Sequence, residues 1–156
     1  MFRKKLREIH NKLLPGKKTV SVAESCTGGL VSSLLTSKSG SSGYFLLGVV
    51  AYSNKSKEKI LGIPAKIIKK YGAVSCNVAK LMAENIRKKT GSDFGVSITG
   101  IAGPGGALKN KPVGTVFIGL SKKNKNICKK FLFCGNRQNI RNKSAREALH
   151  LLCAHL

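Results

Sequence analysis

The chain has 156 residues, 29 lysines and arginines against 6 acids, and a formal net charge of +23 at pH 7. Such a length suits one domain, residues 1–156, burying about two-thirds of its unfolded surface. No run of about 18 apolar residues is present to cross a membrane, and the basic N-terminus lacks the apolar core of a secretory signal.

The opening residues predict a short amphipathic helix, with Phe2, Leu6, Ile9, Leu13 and Leu14 near one face. Thr19–Ala23 is a β-branched run that ends in Glu24-Ser25-Cys26-Thr27-Gly28-Gly29, the pattern of strand, tight turn and helix start. Free N–H groups at a helix start favour an anion, and glycines let a ligand approach the backbone. The helix is expected from Gly28 to about Ser37, followed by the Ser/Gly-rich loop 38–43. Tyr44–Ser53, with Phe45, Val49, Val50 and Tyr52, predicts a buried strand.

Asn54 is expected to cap a short helix over Lys55–Leu61 that stops at Gly62, and Pro64 to open a helical turn reaching Tyr71. Ser75 begins a longer helix carrying Val78, Leu81, Met82 and Ile86 at helical spacing. Asp93–Ile101 returns to strand and runs into the glycine-rich loop Gly100–Gly106. Val113–Leu120 and Asn126–Phe133 predict a hairpin turning at Lys122–Lys125. Arg137–Leu152 forms the last helix. The order α-β-α-β-α-α-β-β-β-α implies an α/β fold, a layered α/β/α sandwich. Its sheet is mixed and mostly parallel, finished by a C-terminal β-hairpin plus helix.

Five cysteines at wide, irregular spacing fit neither a disulfide framework nor a zinc site, and imply reduced thiols in a cytoplasmic protein. The basic charge would suit nucleic acid, an anionic surface or an anionic small substrate. Lysine dominates it, however, and the lysines are scattered along the whole chain without interleaved aromatic residues. A solvated surface accounts for that pattern, so specific nucleic-acid binding is not expected. No metal or cofactor is implied.

Three strand exits carry functional side chains: Glu24–Gly29, Ala51–Lys55 and Ser97–Gly106. Ligands in open α/β sheets sit beyond the carboxyl ends of parallel strands, so the three together would form a small-molecule pocket. The blocks Ala23-Glu24-Ser25-Cys26-Thr27-Gly28-Gly29, Gly40-Ser41-Ser42-Gly43-Tyr44-Phe45, Val50-Ala51-Tyr52-Ser53-Asn54, Thr99–Gly106 and Lys111–Val116 resemble the CinA C-terminal-domain family, in order and over nearly the whole chain.

That resemblance implies hydrolysis of the carboxamide of nicotinamide mononucleotide to nicotinic acid mononucleotide and ammonia, by a homo-oligomer. It assigns the nucleophile to Ser42 in preference to Ser25, with Tyr52 and Lys55 assisting the proton transfer. Glu24, Ser25, Thr27, Gly28, Thr99, Gly100 and Gly103 would line the substrate site. Arg137 and Arg141 would hold the 5′-phosphate, since a guanidinium matches it bidentately. Where the family often reads Gly-Asp-Arg, this chain has Gly135-Asn136-Arg137, which removes an acid that could orient Arg137. Cys26 has no histidine near it in sequence and is expected to pack in the core. Two other readings stand beside the amidohydrolase: a nucleotide-binding module without catalysis, and a basic protein associated with nucleic acid.

Overall fold

A computed structural model describes residues 2–156. Twelve elements follow one another: α1 (Arg3–Leu13), β1 (Val20–Glu24), α2 (Leu30–Leu35), a 3-10 turn (Ser41–Gly43), β2 (Phe45–Val50), α3 (Asn54–Leu61), α4 (Ala65–Tyr71), α5 (Cys76–Thr90), β3 (Phe94–Gly100), β4 (Thr115–Lys122), β5 (Lys125–Leu132) and α6 (Arg137–Cys153). The sheet order is β2-β1-β3-β4-β5. β1 runs parallel to both β2 and β3, whereas β3–β4 and β4–β5 are antiparallel, so only β4 runs against the rest.

Strand side chains alternate between the two faces, and each face meets its own helices. Val20 and Val22 of β1 share one core with α1, α2 and α6, packed on Val96, Ile98, Ile118 and Leu120. Ala23 on the opposite face joins Leu61, Ile68, Val78, Met82 and Ile86 beneath α3, α4 and α5. The result is the α/β/α sandwich expected, with its hairpin closed over Lys123 and Asn124, the latter in the left-handed region.

Four local expectations change. The helix after the first turn starts at Leu30, because Gly28 and Gly29 stand at φ +58° and +93° and form the turn itself. Ser53, one residue ahead of Asn54, caps α3 by accepting from the Ser56 N–H at 3.0 Å. The helical turn after Pro64 is a full helix, α4, so three helices separate β2 from β3. Finally, β2 is a strand but not a buried one: it occupies the sheet edge, with Leu46, Leu47 and Val50 exposed.

Candidate functional site

Ser25 follows Glu24 at the carboxyl end of β1, and its N–H extends the ladder by donating to the Ile98 carbonyl at 2.9 Å. Alternation places it on the face covered by α3, the same face as Ala23. There the Lys57 ammonium donates to Ser25 Oγ at 3.1 Å, to the Ala51 carbonyl at 2.9 Å and to the Tyr52 carbonyl at 3.1 Å. Lys57 is 1% exposed and Ser25 is 7% exposed. No carboxylate offsets the burial of that lysine, and desolvation pulls its pKa down to about 8.

Such a lysine is a usable base near neutral pH. Its neutral amine keeps two protons for the two carbonyls and turns its lone pair toward Ser25 Oγ. Lys57 escaped the sequence reading, although a signal for it was present. A helix over 55–61 that buries Leu61 must also bury the residue one turn earlier, Lys57.

Lys55, the base expected from the sequence, is exposed near the start of α3. Two residues along a helix turn about 200°, so Lys55 and Lys57 cannot both face Ser25. Ser42 lies in the exposed turn before β2. Phe45 is paired with Val20 at the start of β1, and Val50 with Glu24 at its end. Because the two strands are parallel, Ser42 and Ser25 sit at opposite ends of neighbouring strands, separated by about five residues of strand at about 3.3 Å each. Within one chain the structure brings neither Ser42 nor Lys55 to the serine–lysine pair.

Glu24 is also not open to a ligand. It is fully buried, and its carboxylate accepts from the N–H groups of Gly29, Val31 and Ser32 and from Ser32 Oγ at 2.7–3.1 Å. A carboxylate at the start of a helix is favoured by the dipole and by the unpaired N–H groups there. Glu24 therefore caps α2 from the adjacent strand and fixes the turn that carries Ser25. Thr99, 1% exposed, donates to the Ala73 carbonyl at 2.9 Å and ties β3 to the segment before α5. Gly100 serves packing: a Cβ there would stand 2.7 Å from Val116 Cγ2.

The remaining expected residues do converge, as a rim around the turn. Arg137 donates to the Gly103 carbonyl at 2.8 Å and to the Tyr52 hydroxyl at 2.9 Å. Arg141, one turn along α6, donates to the Thr27 carbonyl at 2.8 Å and lies against Gly28. The missing acid before Arg137 does not leave it unoriented. Asn136 instead caps α6, exchanging side-chain hydrogen bonds with Asn139. Tyr52, 56% exposed, contributes its carbonyl to Lys57 and its hydroxyl to the rim.

Cys26 stands between Ser25 and Thr27, but burial pushes its thiol pKa up to about 12, so it is neutral and belongs to the core. The Thr27 N–H, two positions after Ser25, has no acceptor among the described residues. No group of three or more potential metal ligands is found among the described residues. None of their helices is long and apolar enough to cross a membrane.

Comparison with known proteins agrees with the fold and the motifs. The chain is 52% identical over 145 residues to a CinA-like protein of Leptospira biflexa, covering 92% of this chain and 35% of that protein. It is 48% identical over 153 residues to a CinA-like protein of Thermotoga neapolitana, covering 97% and 37%. The chain thus spans about a third of the length of these curated relatives. Among solved structures, the competence/damage inducible protein CihA from Agrobacterium tumefaciens superposes with a TM-score of 0.95 at 36% identity, over 98% of this chain and 94% of that one. A competence-damaged protein (CinA) superfamily protein from Escherichia coli gives 0.96 at 28% identity, over 100% and 91%. The family model described as the CinA C-terminal domain matches residues 3–156, and the chain belongs to that family.

Proposed function

We propose that the chain is an amidohydrolase acting on the carboxamide of nicotinamide mononucleotide, with Ser25 as nucleophile and Lys57 as its base. The observation that carries this reading is the 3.1 Å contact between Ser25 Oγ and a buried lysine held by two carbonyls, without a carboxylate partner. With its pKa near 8, roughly one Lys57 in ten is neutral at pH 7.

Neutral Lys57 takes the Ser25 proton as Oγ bonds to the carboxamide carbon. The Thr27 N–H, buried in the turn but without an acceptor among the described residues, is the donor we assign to the oxyanion that develops. Collapse breaks the C–N bond, and the ammonia leaves with the proton that Lys57 carries. Water then attacks the acyl-serine ester and gives a proton to Lys57; as the C–Oγ bond breaks, Lys57 returns that proton to Ser25 Oγ and the acid is released. Arg137 and Arg141 are the residues suited to the 5′-phosphate, their fork geometry matching its oxygens.

The test is ammonia release from nicotinamide mononucleotide by the purified protein, with Ser25→Ala beside the wild type. Turnover is expected to fall about 10³-fold or more in the variant while its circular dichroism is unchanged. Nucleotide binding with no ammonia released by the wild type would overturn the amidohydrolase reading in favour of a binding module.

A further inference from the structure

Wide spacing in the sequence hides a cysteine pair that the fold assembles. Cys76 is the first residue of α5, and Cys128 lies on the outer strand β5. In the ladder Cys128 is paired with Gly119 of β4, so both positions face the same side of the sheet. That side belongs to α5: a Cβ at Gly119 would stand 2.5 Å from the Ala79 carbonyl oxygen, and one at Gly95 of β3 would collide with that of Ala83. Ala83, Ala79 and Cys76 form one stripe along the helix. Followed back toward its start, α5 therefore passes over β3, then β4, then β5, where Cys76 meets Cys128. Asn126 confirms this register from the same face of β5, its amide donating to Glu84 of α5 at 3.0 Å. The Cys76 and Cys128 side chains share a hydrogen bond. Both thiols are free and half-buried.

We propose that Cys76 and Cys128 are a redox modification site, forming a reversible disulfide that staples the start of α5 to β5 when a small-molecule disulfide is the oxidant. Cys26 and Cys153 are buried in the core, and Cys134 is exposed. This pair combines access for a small oxidant with a second thiol already in contact. Sulfurs so placed need only close to about 2.05 Å, a step that side-chain rotation at a helix start can supply.

The exchange takes two steps. The Cys76 thiolate attacks one sulfur of the oxidant, forming a mixed disulfide and expelling the other half as a thiolate. Cys128 then loses its proton to solvent and attacks the Cys76 sulfur; the mixed bond breaks and the second thiolate leaves. Two protein thiols are oxidised, and one external disulfide is reduced to two thiols. Burial and the hydrogen bond to Cys76 hold the Cys128 thiol above its ordinary range, which keeps it neutral while Cys76 reacts first. Reaction of Cys76 removes that hydrogen bond and leaves Lys80 beside Cys128 to favour its thiolate. The closed loop of about 50 residues takes in α5, β3 and β4, so the bond restrains the unfolded chain strongly. β3 and β4 stand between β5 and β1, the strand that leads into Ser25, and nothing here rests on the amidohydrolase reading.

Peptide mapping after treatment with glutathione disulfide tests the pair. Trypsin is expected to release residues 71–80 joined to residues 126–129, and dithiothreitol to part them. The oxidised wild type is expected to melt about 10 °C above the reduced protein. Cys76→Ser and Cys128→Ser, with the circular dichroism of the wild type, should show neither the joined peptides nor the rise. Cys134→Ser is the control and should show both. Persistent glutathione adducts at Cys76 or Cys128 in place of joined peptides overturn the proposal, as does joining through Cys134 instead. A joined pair that melts no higher than the reduced protein also overturns it, because the bond would then break the contacts it is expected to hold. The ammonia assay decides the amidohydrolase reading separately.

Discussion

In the proposed reaction Lys57 is the base. A base must be unprotonated to act, and the folded protein holds this lysine at about 8 against an ordinary value of 10.5. Turnover is therefore expected to rise with pH, by about tenfold per unit well below 8, and to level off above it. A pH–rate profile flat from 6 to 9 would sink the assignment. Lys57→Met should abolish that rise together with most of the activity. Lys55→Ala and Ser42→Ala, at positions the sequence motif favoured, should each keep the bulk of turnover at saturating substrate. The sequence motifs point to Ser42 and Lys55, whereas the fold brings Ser25 and Lys57 together, because which serine meets a lysine is set by strand direction and which lysine faces inward by helical phase. Neither property is visible in a block of residues read without its neighbours.

At the scale of elements, α2 depends on the strand before it. It has six residues and no acid in its own first turn, and Glu24 supplies the missing cap. Glu24→Ala leaves four donors without their acceptor and should destabilise the fold by about 3 kcal/mol, read as a lower urea midpoint. Helix α6 contributes the guanidinium pair. Arg141→Met and Arg137→Met should each raise KM for the nucleotide about tenfold to a hundredfold. The riboside lacking the phosphate should show little change, which separates phosphate binding from damage to the site. Most elements were legible from periodicity and capping residues. The burial of β2 was misread for a physical reason: its apolar, β-branched composition is that of a central strand, whereas the strand order that puts it at the sheet edge is set by contacts distant in sequence.

The whole molecule is a strongly basic body whose lysines are spread over α1, α3, α4, α5 and β5. A field of that sign draws anionic substrates toward the arginine rim, and salt screens it. kcat/KM for the mononucleotide should fall as salt is raised from 50 to 500 mM, while kcat stays constant; an equal fall for the uncharged-tail riboside would argue against steering. Association with duplex DNA should show no sequence preference and fall steeply with salt, because scattered lysines contact phosphates and read no base edges.

The Glu24 carboxylate also sets how the molecule opens. A helix of six residues has no independent stability in water, so α2 persists only while the strand that caps it is in place. The amides of Gly29, Val31 and Ser32 should then exchange with deuterium at the slow rate of β1, not at the fast rate of a frayed surface helix. The turn bearing Ser25 lies between these two partners and opens with them or not at all. Its rigidity belongs to a cooperative unit made of a central strand, one buried charge and the start of a short helix.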